Sequence, residues 1–418
     1  MTDQGLTRRS LLLAAAALAA SGCARRGDSP PADLVWAVGG IDAEATGPAA
    51  ATAAMWNDRN PNGPKVSVLA LPSSSDEQRR LMAIELGAGL RHFDILTLDV
   101  PWTAEFAANG WLADLSAIRS DVEHAALPAL LASTRWEGTM WAAPYATNAG
   151  FLYYRTDLVS RPPTTWAELI SVGRDAALRA GIEPFVGQGA QYEGMVVQYL
   201  ELLWGAGGDL FSETGAVDFE VGPALLALRF LADARRSGFL AQDFSTMDEE
   251  GARLAFRSGR AVFMRNWPYA HPAMGGEGSK VNGAFGIAPL PTFSGAGTIS
   301  ALGGQNLAVS RFSRNVAGGR RFVEFASTTP SVQRMLAERS VPPAMASTYA
   351  EVGDDPVMAL LRRVLPQARP RPPVARWSAI SDEIQQHIFP AYNGQRDPAR
   401  AVAEVRTFLE LASRGGSR

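Results

Sequence analysis

The stretch KVSVLALPSSSDEQRRLMAIELGAGLRHFDILTLDV, from Lys65 to Val100, contains a strand, a helix and a second strand in one unbroken reading. KVSVLAL (65–71) and FDILTLDV (93–100) are short apolar runs of the length that a buried strand needs. Between them DEQRRLMAIELGAG (76–89) is amphipathic, with Leu81, Ile84 and Leu86 near one face. Ser74 or Ser75 can cap its start, and Gly87 or Gly89 can end it. LVWAVGG (34–40) supplies a strand before this unit, so strands and helices alternate. That alternation predicts an α/β fold in which mostly parallel sheets are flanked by helices.

Further along, a second set of units follows. FLYYR (151–155) reads as a strand, and PPTTWAELISVGRDAALRAG opens a helix in which Thr165 and Glu168 have capping-box spacing. Strands near EPFVG and AVFMRN, with helices near 194–205 and 223–237, predict a second α/β lobe. NLAVS (306–310) returns to strand character, and 355–413 is mostly helical by pattern. A chain of 418 residues, 47% hydrophobic and 19% charged, is long enough for two such lobes.

The net charge of −3 gives no field for nucleic acid or an anionic membrane surface. TRRSLLLAAAALAASGC (7–23) has an Arg pair, an apolar run too short to span a bilayer and a small-residue site. The only cysteine, Cys23, closes this segment, which resembles a bacterial lipobox. The resemblance implies lipidation at Cys23, a tether over 24–33 and an exported protein held on the outer face of the cell membrane. Disulfides and thiol catalysis are excluded, since no other cysteine remains.

The four histidines, His92, His124, His271 and His387, are scattered, and neither a phosphate loop nor a GxSxG elbow occurs. No metal or cofactor is expected. Asp248, Glu249 and Glu250 are neighbours on a predicted helix and point about 100° apart, so they cannot face each other across a glycosidic bond. The sequence instead places aromatics beside polar residues at predicted strand ends. Asp99 follows FDILTL, Asn148 follows WAAPYAT and Trp267 follows AVFMRN. In open α/β sheets ligands sit beyond the carboxyl ends of strands. A sugar, with apolar C–H faces and a ring of hydroxyls, calls for this mixture of flat ring and polar groups.

Several longer stretches carry a resemblance. FDILTLDVPWTAEFAANGWLADL, APYATNAGFLYYRTDLV, PPTTWAELI, QYEGMVVQYLELLWGAGGDL, EEGARLAFRSGRAVFMRNWPYA and ALGGQNLAVS resemble, in order, the extracellular solute-binding proteins of carbohydrate ABC importers. Within these they are most similar to the trehalose/maltose-binding lipoproteins. The resemblance implies two lobes around a hinge cleft: 34–143 with 300–345, and 147–296 with 347–418. The chain would cross near Tyr145, Ser300 and Ser347. It further implies that Asp99 and Glu249 accept hydroxyls from opposite lobes, with Asn148 near the hinge and Trp267 as the stacking aromatic. Gly303 and Gly304 would let backbone approach the ligand, Arg369 would be a sugar-binding arginine, and Tyr192 and Glu193 would line the cleft. The implied protein is a monomer, not an enzyme, that passes a disaccharide, trehalose first, to ABC permease subunits. Maltose, another oligosaccharide or a glycerophosphodiester would keep the fold. A glycerophosphodiester would require clustered arginines near Arg265 and Arg369. An exported carbohydrate-active hydrolase is the reading from another class.

Overall fold

The computed structural model describes residues 32–414 except 213, 298 and 354; the expected export signal, the expected lipidation site at Cys23 and most of the expected tether lie outside the described residues. β1 (Leu34–Gly39), β2 (Val66–Leu71) and β3 (Ile95–Asp99) pair in parallel, with β1 central. β1 and β3 are buried on both faces, which explains their nearly continuous apolar sequence. A small hairpin of β4 (Arg135–Trp136) and β5 (Thr139–Met140) precedes β6 (Ala142–Ala149). Then come β7 (Phe151–Arg155), β8 (Glu183–Val186), β9 (Ala261–Asn266), β10 (Phe285–Ala288), β11 (Ala301–Val309) and β12 (Arg369–Pro370).

The first sheet runs β12–β11–β3–β1–β2, with β6 also paired to β11. One face is covered by the helices Pro48–Arg59, Val316–Thr328 and Pro330–Glu338, whose Trp56, Phe322 and Leu336 pack with Trp36 and Tyr145. The other face is covered by Ser75–Gly87 and Trp102–Ala108 through Met82, Leu86, Trp102 and Phe106. The second sheet is β10–β7–β9–β8. Its core includes residues of Trp166–Ala180, Glu193–Gly205, Val221–Arg236 and the C-terminal helices Trp377–Tyr392 and Pro398–Arg414. Thr165 caps the Trp166–Ala180 helix by accepting the Glu168 amide at 3.0 Å. Glu168 reaches back one residue further than a capping box does, to the Thr164 amide.

Parallel pairing holds for β1/β2, β1/β3, β8/β9 and β11/β12, whereas β3/β11, β6/β11, β7/β9 and β7/β10 are antiparallel. The sheets are therefore mixed. The reason is topological: β6 and β11 lead to and from the other lobe, so they do not follow the crossover helices that make neighbours parallel. Tyr145, the expected first crossing, lies inside β6, which the ladder to β11 holds in the first sheet from Ala142 to Ala149. The passage comes at Gly150, between β6 and β7. The chain returns between β10 and β11, where the Ser300 hydroxyl donates to the Gly150 carbonyl at 3.0 Å. After Pro330–Glu338 the chain enters the second core at Tyr349, Val357 and Leu361.

Candidate functional site

Two adjoining cavities, of about 180 and 240 Å³, lie between the lobes at the strand ends. Ser75, Gln78, Asn148, Glu249, Trp267 and Gln305 border both, so they form one continuous cleft. Of the residues expected from sequence, Asp99, Asn148, Glu193, Glu249, Trp267, Gly303 and Gly304 line the first cavity together. They come from the end of β3, the end of β6, two helix starts, the residue after β9 and the first half of β11.

Arg371 occupies the inner end. Its guanidinium grips Asp99 through two bonds, Nη1 to Oδ2 at 2.8 Å and Nη2 to Oδ1 at 2.7 Å. Nη1 also donates to Glu193 Oε1 at 2.6 Å. Asp99 belongs to the first lobe and Glu193 to the second, so one buried cation joins both. Burial alone would lower the Arg371 pKa, but its two carboxylates hold it above the ordinary arginine value. Glu193 also accepts from Trp377 Nε1 at 2.9 Å and from the Ser381 hydroxyl. Burial raises the Glu193 pKa above the usual carboxylate value despite the guanidinium. Trp377, the first residue of the Trp377–Tyr392 helix, thus supports a cleft carboxylate.

Arg369 is corrected by the structure. Its guanidinium is half exposed and pairs with Asp209 at 3.2 Å, bordering a different depression. The cleft arginine is Arg371, two residues on; an extended chain advances about 3.3 Å per residue, enough to carry the guanidinium from that depression into the cleft.

At the outer end the three neighbouring acids separate as helical spacing requires. Asp248 caps its helix through the Gly251 amide at 2.8 Å. Glu249 accepts from the Tyr192 hydroxyl at 2.6 Å, and Glu250 binds Arg253 and the Tyr269 hydroxyl. Tyr192 therefore supports Glu249 and does not itself border either cavity. Burial pushes the Glu249 pKa up. Asp42, which no sequence motif marked, accepts from Gln305 Nε2 at 2.7 Å, and burial raises its pKa as well. Asn148 Oδ1 is buried with no hydrogen-bond partner, at the junction of the two cavities.

Trp267 borders both cavities. The Arg265 guanidinium lies over one face of its ring at 4.0 Å from the centroid. The glycines of β11 make room for it and for β6. A Cβ on Gly303 would meet the Trp267 ring at 3.1 Å, and one on Gly304, where φ is +133°, would meet the Ala146 carbonyl at 2.4 Å. Their primary demand is thus protein packing, where sequence suggested backbone approach to a ligand. Among the described residues no His, Cys, Asp and Glu cluster could hold a metal ion.

An aromatic-floored cleft between two α/β lobes places this chain among known proteins. The sequence profile described as "Bacterial extracellular solute-binding protein" matches residues 40–333. The chain belongs to that family. A probable ABC transporter-binding protein of Deinococcus radiodurans is 30% identical over 358 residues, covering 81% of this chain and 84% of that one. A maltooligosaccharide ABC transporter solute-binding lipoprotein of Streptococcus pneumoniae is 23% identical, with 66% of each chain covered. Among solved structures, maltose-bound MalE3 of T. maritima superposes with a TM-score of 0.84 at 32% identity, covering 91% of this chain and all of that one.

Proposed function

We propose that this solute-binding protein is a lipid-anchored receptor that captures a neutral disaccharide and delivers it to an ABC permease. Trehalose is the leading ligand. The observation that carries the reading is the chemistry of the cleft wall: the indole rings of Trp102 and Trp267 amid an unpartnered Asn148 Oδ1 and carboxylates with no cation, with its single arginine already held by two carboxylates. An orphaned Asn148 Oδ1 and the carboxylates of Asp42 and Glu249 call for a ligand rich in hydroxyl donors. The Trp267 face suits the apolar side of a pyranose ring.

A phosphodiester is disfavoured by the same geometry. Arg265 is consumed by Glu201 and Gln188, Arg369 by Asp209, and Arg371 by Asp99 and Glu193. Maltose is the second reading, favoured by the maltose-bound relative at 32% identity. Binding would be completed by hinge motion, because Asp42 and Gln305 stand on one lobe and Glu249 and Trp267 on the other. No bond is made or broken. A thermal-shift and calorimetric screen of mono- and disaccharides tests this: a neutral disaccharide is expected to bind and to be recovered intact, whereas turnover would support the hydrolase. Anchoring is tested by the mass of the mature N-terminus and by release of a Cys23→Ala chain into the medium.

A further inference from the structure

Beneath the Trp267 ring lies an ion pair that the binding reading does not use. Arg265 and Glu201 have side chains 1% and 2% exposed. Arg265 Nε donates to Glu201 Oε2 at 3.0 Å, Nη2 to Oε1 at 2.6 Å, and Nη1 to Gln188 Oε1 at 3.1 Å. The guanidinium is thereby fixed on three sides before it meets the indole at 4.0 Å. A planar guanidinium is suited to hold a fork to a carboxylate and to stack on an aromatic face at the same time.

The pair also touches both nearby passages of the chain between the lobes. Glu201 Oε1 accepts the Ala301 amide at 3.1 Å, at the first residue of β11. Gly150, the residue between β6 and β7, lies so close that a Cβ there would meet Arg265 Nη2 and Glu201 Oε1 at 2.6 Å each. The two passages are tied to each other by the Ser300 hydroxyl and the Gly150 carbonyl.

We infer that Arg265 and Glu201 are positioning residues that couple the hinge passages at Gly150 and Ala301 to the stacking face of Trp267. Any rotation of the lobes alters the φ and ψ angles at these passages, so it moves the Ala301 amide and the space beside Gly150. The rigid ion pair passes that movement to the indole it backs. The ring is then set for a ligand only in the hinge state that seats the pair. The inference rests on the cleft being the ligand site.

Two variants of the full mature chain test it: Gly150→Ala, which touches neither the cleft nor Trp267, and the double change Arg265→Met with Glu201→Gln, which leaves no buried charge unpaired. Each is measured by calorimetry with the disaccharide that the wild type binds and by small-angle X-ray scattering without ligand. Both are expected to lower affinity about tenfold, and Gly150→Ala is expected to change the radius of gyration. Arg265→Lys, which keeps the charge and loses the fork, is expected to be as weak as the double variant. Affinities within about twofold of wild type for either variant would overturn the inference, as would full binding by Arg265→Lys. Should the double variant not fold, Gly150→Ala decides alone. A wild type that binds no sugar defeats the proposed function instead, and the coupling is then judged by scattering, where an unchanged Gly150→Ala sinks it.

Discussion

The two ends of the cleft use the same residue types and leave them in opposite states. At the inner end Asp99 and Glu193 face each other from different lobes, and Arg371 fills the space between them with three hydrogen bonds. Neighbouring polar contacts add to this join: the Glu193 amide approaches Asp76 Oδ1 at 3.4 Å, and the Ser378 hydroxyl donates to Glu105. At the outer end Asp42 and Glu249 also stand on different lobes, but Gln305 and Tyr192 serve each separately, and among the described residues no side chain bridges them. A buried carboxylate with a cation is a structural joint. One without a cation is an acceptor waiting for a donor. The inner end joins the lobes through Arg371, and the outer end leaves the acceptors that the proposed sugar would complete.

The largest effect is expected from breaking the inner end. Arg371→Ala strands two carboxylates and should cost about 3–5 kcal/mol of stability, read by chemical denaturation. A loss below about 1 kcal/mol would mean that Asp99 and Glu193 are solvated without the arginine. Next comes Trp267→Ala, which should remove about 1.5–3 kcal/mol of binding with a smaller change in melting temperature. A large drop in melting temperature with unchanged affinity would make the ring core instead of platform. Asn148→Ala comes third. It removes an acceptor that has no partner, so calorimetry should show about 1 kcal/mol of lost binding while fold stability is nearly unchanged.

The smallest expected effect concerns pH at Asp42. Its folded pKa lies above the ordinary 3.8 because burial disfavours the charged form. The neutral acid is therefore favoured by folding. Its contribution is fully present below 3.8 and is lost as pH rises through the raised folded value. Asp42→Asn should flatten that part of the pH–stability curve and leave the neutral-pH protein slightly more stable. A steeper curve in the variant would contradict the assignment. The same change should also weaken sugar binding, because the amide offers one acceptor oxygen where the carboxylate has two.

The strand–helix–strand order of Lys65–Val100 was legible because its signals are local, but the helix face was not: Met82 and Leu86 are buried, whereas Leu81 and Ile84, expected beside Leu86, are exposed. Apolar runs mark β2 and β3, and the strand ends located Asp99, Asn148 and Trp267. What escaped depends on contacts far apart in sequence. Arg371 and Asp99 are separated by 272 positions, and Asp42 and Gln305 by 263, so neither pair leaves a pattern in any window. The segment RPRPPV contains two arginines with nothing local to tell them apart; only the neighbouring lobe assigns Arg369 to Asp209 and Arg371 to the cleft. Gln305 had a usable signal, since it stands two residues beyond Gly303 on the same face of β11. Arg265 was legible only as an odd charge at a strand end. Its role depends on Glu201, one helix away in the fold.

The central claim, that the cleft is completed by a neutral sugar of two rings, is tested most directly by isothermal titration calorimetry of the mature chain. Trehalose and maltose are titrated beside a glycerophosphodiester in the same buffer. One-to-one binding of a neutral disaccharide is expected, lost in Trp267→Ala, with no heat from the phosphodiester. Binding of the phosphodiester with no response to either disaccharide would contradict it.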